Sequence, residues 1–457
     1  MSPQNKQLFD IKLTPGSRIR DGQGPSGKRP SKGRTPVLQP KPSSDHAPSR
    51  RSLLQAAAGV AGAAVVGLPR LGRAQAAGTV HFGASLPLTG AYEKVAKVYR
   101  DGYDFWTRTV GGRIEVAGMP MAVKWSVYDD ENNASRTAQL TEKLISDDKV
   151  NCIAGAYGTD TVLAQGAIAG RHGRVLVQAG AASTRVDEEI GGKTAFTLVG
   201  GAKTYQLLAV DFLARQNPKP KTAGIVIIDD PVYQEHAIGI RERCAQHGID
   251  IVFEDVLPPN VQDLRPTVLK MKRAGEIDLV FNTGWDLICI KLVQEMSTLG
   301  VVPKAFVGGH LTTTPAVKQS LGSKLRNVIG VTFWTPALQY KDPHFEGPRA
   351  FLAKFEETFG YTPTYHAAAA YSVPLLYQMA LKDADPADPF NQEHIRQNLL
   401  KVKTETVWGP ISFNERGRIQ REGVPVIQWL GDDPVATVVY PEALATAPGV
   451  YPRGPWG

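Results

Sequence analysis

The chain has 457 residues, with 52 Lys and Arg, 44 Asp and Glu, 3 Cys and a formal net charge of +8 at pH 7. The first 76 residues hold 13 of the basic and 3 of the acidic side chains, so the remaining 381 carry a net charge of −2. This balance gives the remaining chain no electrostatic reason to bind nucleic acid or an anionic membrane.

The first 76 residues resemble the leader of an exported protein. Residues 1–48 are rich in Pro, Gly, Ser, Lys and Arg and cannot bury a core. The parts of a secretory signal follow, namely a basic pair, an apolar stretch and a small-residue cleavage site: Arg50 and Arg51, residues 53–69, and Ala74 and Ala76. The Ser-Arg-Arg-x-Leu-Leu pattern resembles the twin-arginine type. The apolar stretch is too short to span a bilayer, which needs about 20 apolar residues. We therefore predict cleavage near Ala76 and release into the periplasm, without the lipid-anchoring Cys that a lipoprotein signal carries.

From residue 79 onward, short apolar strands alternate with helical periods. In the first part the pattern predicts strands over 79–88, 122–130, 150–156 and 174–178, and a helix over 133–148. After a Pro- and Lys-rich join at 217–221, it predicts strands over 222–230, 249–257, 277–284 and 305–309, with helices over 233–248, 263–275 and 287–300. Such alternation is typical of βαβ units with parallel sheets. The sequence therefore predicts an α/β fold with two doubly wound lobes.

The region after Gly330 departs from this alternation. Its pattern predicts helices over 343–360 and 366–382 and late strands near 410–413 and 424–430. These are more elements than a single lobe needs at its C-terminal end. The three cysteines are far apart in sequence, which argues against a disulfide framework and leaves room for at most one disulfide. We expect them to be buried and unpaired.

Motifs of known catalysts are missing from residues 77–457. There is no Walker loop, no G-x-S-x-G, no H-E-x-x-H and no C-x-x-C, and the histidines are scattered singly. We therefore predict a protein that is not an enzyme and that needs no cofactor and no metal.

Open α/β sheets bind ligands beyond the carboxyl ends of their strands. Four segments occupy such positions: 157–161, 179–184, 284–286 and 309–310. Hydroxyls and backbone N–H groups at the start of a helix, as at Thr159, suit a carboxylate or another anion. For any one segment ordinary helix capping explains the residues equally well, but four segments together favour a binding cleft.

Several stretches resemble the type I periplasmic solute-binding proteins of ABC importers, the branched-chain amino acid/amide-binding family. The stretches are GASLPLTGAY (83–92), YDDENNASRTAQLTEKLISDDKV (128–150), GAYGTDT (155–161), IDDPVYQEHAIG (228–239), IDLVFNTGWD (277–286) and TVWGPISFNERGR (406–418) followed by VIQW (426–429). The resemblance implies a Venus-flytrap protein whose two lobes are joined by three crossover strands. It assigns 79–200 and 334–422 to lobe 1, 201–333 and 423–440 to lobe 2, and leaves 441–457 as a C-terminal tail.

The resemblance also implies a ligand site between the lobes. The positions matching the family's carboxylate-binding loops are Thr159, Asp160, Ala181, Ala182 and Ser183, and the aromatic lid matches Tyr233 and Trp285. His310 stands where amino-acid binders of the family carry an acid. Either Asp160 or Asp286 replaces that acid, or the ligand lacks an α-ammonium group and is an amide, a urea-like compound or a carboxylate. Tyr92 and Tyr157, with Tyr233 and Trp285, could stack on a planar ligand.

The resemblance implies a monomeric, exported substrate-binding protein that captures an amino acid, an amide or a carboxylate. Its partners would be the permease and ATPase subunits of an ABC importer. The alternative is a ligand-sensing module of the same fold that signals to a membrane partner.

Overall fold

The computed structural model of the chain describes residues 78–309, 313–421, 423–431 and 435–457. The predicted signal, with Arg50, Arg51, Ala74 and Ala76, lies outside these residues, so export and cleavage stay predictions. The strands are β1 (Thr79–Leu86), β2 (Arg113–Val116), β3 (Met119–Asp129), β4 (Cys152–Ala154), β5 (Leu176–Gln178), β6 (Ala195–Thr197), β7 (Thr222–Ile228), β8 (Asp250–Leu257), β9 (Leu279–Asn282), β10 (Ala305–Val307), β11 (Ile329–Val331), β12 (Thr404–Thr406), β13 (Gly409–Ile411), β14 (Val426–Gln428) and β15 (Thr437–Tyr440).

Helices alternate with these strands as the sequence predicts. They are α1 (Glu93–Thr109), α2 (Ala134–Ser146), α3 (Thr159–Arg171), α4 (Arg185–Glu189), α5 (Leu207–Ala214), α6 (Pro231–His247), α7 (Arg265–Arg273), α8 (Asp286–Leu299), α9 (Pro315–Leu321), α10 (Pro348–Phe359), α11 (Tyr365–Lys382) and α12 (Gln392–Lys401). The helix predicted over 343–360 begins five residues later, because Pro348 takes the first helical position, where its missing N–H costs nothing.

The first lobe is built on a six-stranded sheet in the order β2-β3-β1-β4-β5-β6. The strands are parallel except for the antiparallel pair β2 and β3. Seven of the eight residues of β1 are buried, as expected for a central strand covered on both faces. On one face α1 crosses the Ala-rich helix α11 at Gly102, where an added Cβ would lie 2.7 Å from the Ala370 Cβ. Small residues therefore set how closely these two helices approach.

The second lobe is built on a seven-stranded sheet in the order β15-β14-β11-β10-β9-β7-β8. Strands β7 to β11 are parallel, and the late strands β14 and β15 are added antiparallel at one edge. Helix α6 starts at the Asp230 cap and ends at Gly248, whose φ of 67° is easily adopted by glycine. The two-lobe α/β fold predicted from the sequence is confirmed.

The chain passes between the lobes three times. It leaves the first sheet after β6 and returns after β11 to form α10 and α11 beside α1 and α12 beside α11. It crosses again between β13 and β14. Residues 441–457, predicted as a tail, pack on the second lobe, where the Trp456 Nε1–H donates to the Val301 carbonyl at 2.7 Å. The residue limits of the lobes remain those implied by the resemblance.

The three cysteines are buried and free. Burial raises the pKa of the Cys244 and Cys289 thiols to about 12. The expectation of buried, unpaired thiols is confirmed. Across the described ranges no helix is long and apolar enough to span a membrane.

Candidate functional site

The predicted ligand residues within the described ranges lie on loops and in the first turns of helices at the carboxyl ends of parallel strands. Tyr92 follows β1, Tyr157 follows β4 and Ser183 follows β5 in the first lobe. Tyr233 and Trp285 follow β7 and β9 in the second lobe. The two sets of loops meet, because Ser183 hydrogen-bonds to a side chain of α6. We call the space that these loops border the interlobe cleft.

In the first lobe, Tyr157 is the centre of a group of rings. Its centroid lies 5.9 Å from Tyr92, 5.5 Å from Tyr99 and 5.7 Å from His366. Tyr92 is 45% exposed and forms the outer rim of this group. The Tyr99 hydroxyl donates to the Ala179 carbonyl at 2.7 Å, which ties α1 to the loop after β5. Tyr99 and His366 were not predicted, because both lie inside helices with no motif around them.

In the second lobe, Tyr233 and Trp285 pack together, with ring centroids 5.8 Å apart. Tyr233 also contacts His236 at 5.5 Å, and His236 contacts Tyr205 at 4.4 Å. Phe333 continues this row, with its centroid 4.9 Å from Tyr205.

Phe333 joins the two groups of rings. Its centroid lies 5.9 Å from Tyr365, and Tyr365 stacks on His366 at 4.0 Å. His366 in turn contacts Tyr157. A continuous row of ring contacts therefore runs from Trp285 in the second lobe to Tyr92 in the first. Its middle members, Tyr205, Phe333 and Tyr365, are buried, whereas Trp285 and Tyr92 at its ends are more accessible. We call this row the aromatic surface.

Five tyrosines of this surface keep their hydroxyl protons at neutral pH. Burial raises the pKa of each well above its ordinary value: Tyr99, Tyr157, Tyr205, Tyr233 and Tyr365. For all of them nearby ionisable groups, mostly other tyrosines, raise the pKa further, although Arg418 lowers that of Tyr205. Neutral phenols both donate and accept hydrogen bonds, so the surface can hold the polar edge of a planar ligand.

The loop after β4 and the start of α3 form one wall of the cleft. Helix α3 begins at Thr159, within the segment 157–161 that follows β4. Gly158 precedes it with a φ of 106°, a conformation that other residues rarely adopt. Thr159 is partly buried, whereas the Asp160 side chain is 79% exposed and pairs with Arg185 at 3.2 Å. Asp160 therefore has a cationic partner of its own outside the cleft.

The loop after β5 is shaped by contacts within the protein. The Ala181 N–H donates to Gln178 Oε1 at 2.8 Å, and the Ala182 carbonyl accepts from the Ala202 N–H at 2.9 Å. Both alanines are buried. A Cβ at Gly180 would lie 2.3 Å from the Ala156 carbonyl oxygen, so the small residue allows the loops after β4 and β5 to touch. The main-chain N–H of Ala181 is thus already used.

Ser183 binds a carboxylate, but one that belongs to the protein. Its hydroxyl donates to Glu235 Oε1 at 2.6 Å, and the Thr184 N–H donates to Oε2 at 3.0 Å. Arg418 lies behind the loop and donates to the Ser183 carbonyl at 2.9 Å and to the Asp187 carboxylate at 2.7 and 2.8 Å. Glu235 was not predicted as a site residue, although it stands two residues after Tyr233 in the stretch IDDPVYQEHAIG (228–239).

His310, which stands at the position of the family's acid, lies outside the described residues. The Asp286 carboxylate accepts from the Thr314 hydroxyl at 3.1 Å, where α8 begins next to Trp285. In the part of the chain that the structure describes, no three His, Cys, Asp or Glu side chains are grouped to hold a metal ion.

Comparison with known proteins identifies relatives over most of the chain. A family model described as "Periplasmic binding protein" matches residues 79–433. An ABC transporter solute-binding protein from Rhodopseudomonas palustris BisB5, solved with 3,4-dihydroxybenzoic acid, is 20% identical, with a TM-score of 0.67 over 78% of this chain and 95% of that one. The branched-chain amino acid transporter substrate-binding protein from Streptococcus pneumoniae, solved with isoleucine, is 18% identical, with a TM-score of 0.65 over 82% and 100%. A second R. palustris solute-binding protein, solved with benzoate, is 16% identical, with a TM-score of 0.66 over 82% and 98%.

Proposed function

Because the chain belongs to the periplasmic binding protein family, we propose that it captures a small solute in the interlobe cleft and delivers it to an ABC importer. The solute is an amino acid, an amide or a carboxylate. Capture involves hinge closure of the two lobes and no chemical turnover.

The aromatic surface that crosses from Trp285 to Tyr92 is the observation that carries this proposal. A planar or apolar solute lying on it would contact both lobes at once and would therefore favour their closure. Neutral tyrosine hydroxyls and Thr159 at the start of α3 supply hydrogen bonds for its polar groups. The solved relatives bind isoleucine, benzoate and 3,4-dihydroxybenzoic acid, which have the size and shape that such a surface suits.

We further propose that the protein works as a monomer in the periplasm after twin-arginine export and removal of the leader near Ala76. Its partners are the permease and ATPase subunits of the importer at the membrane. Uptake of the radiolabelled solute by cells should then require both this chain and the importer subunits.

Ligand capture can be tested with the purified chain. Mass spectrometry should detect a small molecule released on unfolding, and that molecule should raise the Tm of the refolded chain. A ligand at 100 times its Kd stabilises the folded state by about 2.7 kcal/mol. Trp285→Ala should weaken binding by about tenfold or more, because it removes a stacking surface worth about 1 kcal/mol and buried apolar area besides.

Trp456→Ala is the matched control, since Trp456 is also partly buried in the second lobe but packs against Phe306 away from the cleft loops. It should leave the affinity unchanged. If both variants lose affinity equally, or if Trp285→Ala loses none, the solute does not lie on the aromatic surface.

A further inference from the structure

Glu235 occupies the Ser183 hydroxyl, one of the donors that the resemblance implies for a ligand carboxylate. Its two carboxylate oxygens accept from the Ser183 hydroxyl and the Thr184 N–H, at 2.6 and 3.0 Å. Glu235 belongs to α6 of the second lobe, and Ser183 and Thr184 to the first, so the contact spans the cleft. A ligand carboxylate at this end would have to displace Glu235 or lie against its like charge, which is unfavourable.

The cations that border these loops do not compensate Glu235. The Arg418 guanidinium is paired with Asp187 at 2.7 Å, and Arg185 is paired with Asp160 and Glu189 at 3.2 and 2.9 Å. Within the described ranges, no Lys or Arg forms an ion pair with Glu235.

Among the described residues, the Glu235 carboxylate is therefore hydrogen-bonded but has no cationic partner. It is partly buried beside α6 rings, and its charge contributes to the raised pKa of Tyr205. A partly buried carboxylate is stabilised by a cation or by a strong N–H donor. The faces of Tyr157, Tyr233 and Trp285 also attract positive charge.

We propose that Glu235 sets the specificity of the cleft: it excludes a carboxylate from the Ser183 end and pairs with an N–H donor of the solute, an ammonium, amidinium or amide group. This inference rests on the proposed function and narrows it to solutes that carry such a nitrogen. A carboxylate elsewhere on the same solute can still lie at Thr159.

Three probes of nearly identical shape test the charge preference: benzoate, benzamide and benzamidine, which are anionic, neutral and cationic. Isothermal titration calorimetry of the full chain, refolded to remove bound solute, should rank benzamidine as the tightest and benzoate as the weakest. Glu235→Gln keeps an oxygen acceptor for Ser183 and removes the charge. It should weaken benzamidine by about ten- to hundredfold, the effect of losing a charged hydrogen bond, and should strengthen benzoate.

Glu242→Gln is the matched control, because Glu242 is an exposed carboxylate on the same helix. It should leave all three Kd values unchanged. Benzoate binding the wild type as tightly as benzamidine, or an unchanged ratio in Glu235→Gln, would overturn the role of Glu235 while leaving the proposed function standing.

The solute released from the wild-type chain on unfolding is a separate readout. A compound with an N–H donor supports the inference, and a carboxylate without one overturns it. If none of the three probes binds the wild type or the Glu235→Gln variant, and no solute is released on unfolding, the proposed function fails and this inference fails with it.

Discussion

Replacing Asp130 with Asn is expected to stabilise the folded chain at neutral pH but not in acid. Asp130 follows β3, is fully buried, and accepts one hydrogen bond at Oδ1, from the Asn132 N–H at 2.9 Å. Among the described residues Oδ2 has no partner at hydrogen-bonding distance, although the hydroxyls of Ser85 and Thr137 are near enough to lower the pKa slightly. Burial is the larger effect and raises the pKa of Asp130 from 3.8 to about 6.

The sign and size of the effect follow from this shift. Near pH 4 the carboxyl is protonated in the folded chain and about half protonated in the unfolded chain, so its burial costs little ionisation energy there and none well below pH 3.8. As the pH rises from 4 to 6 the unfolded chain loses the proton first, and the free energy of unfolding falls. At about 1.36 kcal/mol per pKa unit, the two-unit shift costs the wild type about 3 kcal/mol above pH 6. Asn removes this cost and keeps an oxygen for the Asn132 N–H.

Urea denaturation followed by tryptophan fluorescence at several pH values between 4 and 7.5 measures the difference. The Asp130→Asn variant should match the wild type near pH 4 and exceed its free energy of unfolding by about 3 kcal/mol near pH 7.5. Asp129→Asn is the control, because both oxygens of Asp129 already accept hydrogen bonds, Oδ1 from the Leu88 and Glu131 N–H groups and Oδ2 from the Thr89 hydroxyl. Its replacement should therefore bring no gain in the free energy of unfolding at pH 7.5. Equal stability of wild type and Asp130→Asn at pH 7.5, or a gain that persists at pH 4, would refute the reasoning.

Three further outcomes are expected. Arg418→Ala should lower the free energy of unfolding by about 3–5 kcal/mol, because it leaves the partly buried Asp187 unpaired. Arg416→Ala, at an exposed neighbouring position, should lower it much less. Similar losses of stability in the two variants would contradict this account. Gly158→Ala should cost about 1–3 kcal/mol, because its φ of 106° and ψ of 150° lie in a region that is adopted almost only by glycine. Gly201→Ala, with a φ of −63° and open space around it, should be tolerated. A thiol reagent should modify none of the three buried cysteines in the folded chain and all of them after unfolding; rapid reaction of the folded chain would show that one thiol is accessible.

The order and type of most predicted elements follow from local pattern and agree with the structure. Asn133 caps α2 by accepting from the Arg136 N–H, as its place before an apolar period indicates. The limits of elements agree less well: the strand predicted over 150–156 extends only over Cys152–Ala154. The backbone pairing of β4 ends at Ala154, because the neighbouring strands β1 and β5, and not the length of the apolar run, decide how many residues pair. Helix α1 was not predicted at all.

Part of the site could also be predicted. Tyr92 with Tyr157, and Tyr233 with Trp285, follow strands whose carboxyl ends share an edge, and each pair packs together. The rings that join these pairs could not be found in the same way. Tyr205, Phe333 and Tyr365 lie in three different segments, and only the passage of the chain between the lobes brings them side by side.

The sequence by itself determined the alternation of strands and helices, the charge balance of the chain and the edge of each sheet at which polar and aromatic side chains gather. These properties depend on residues that are neighbours along the chain. The tertiary structure alone decided that the carboxylate held by Ser183 is that of Glu235, 52 residues away. Hydrogen bonds and charges act over a few ångströms in space, so the partner of a loop residue depends on how the two lobes pack.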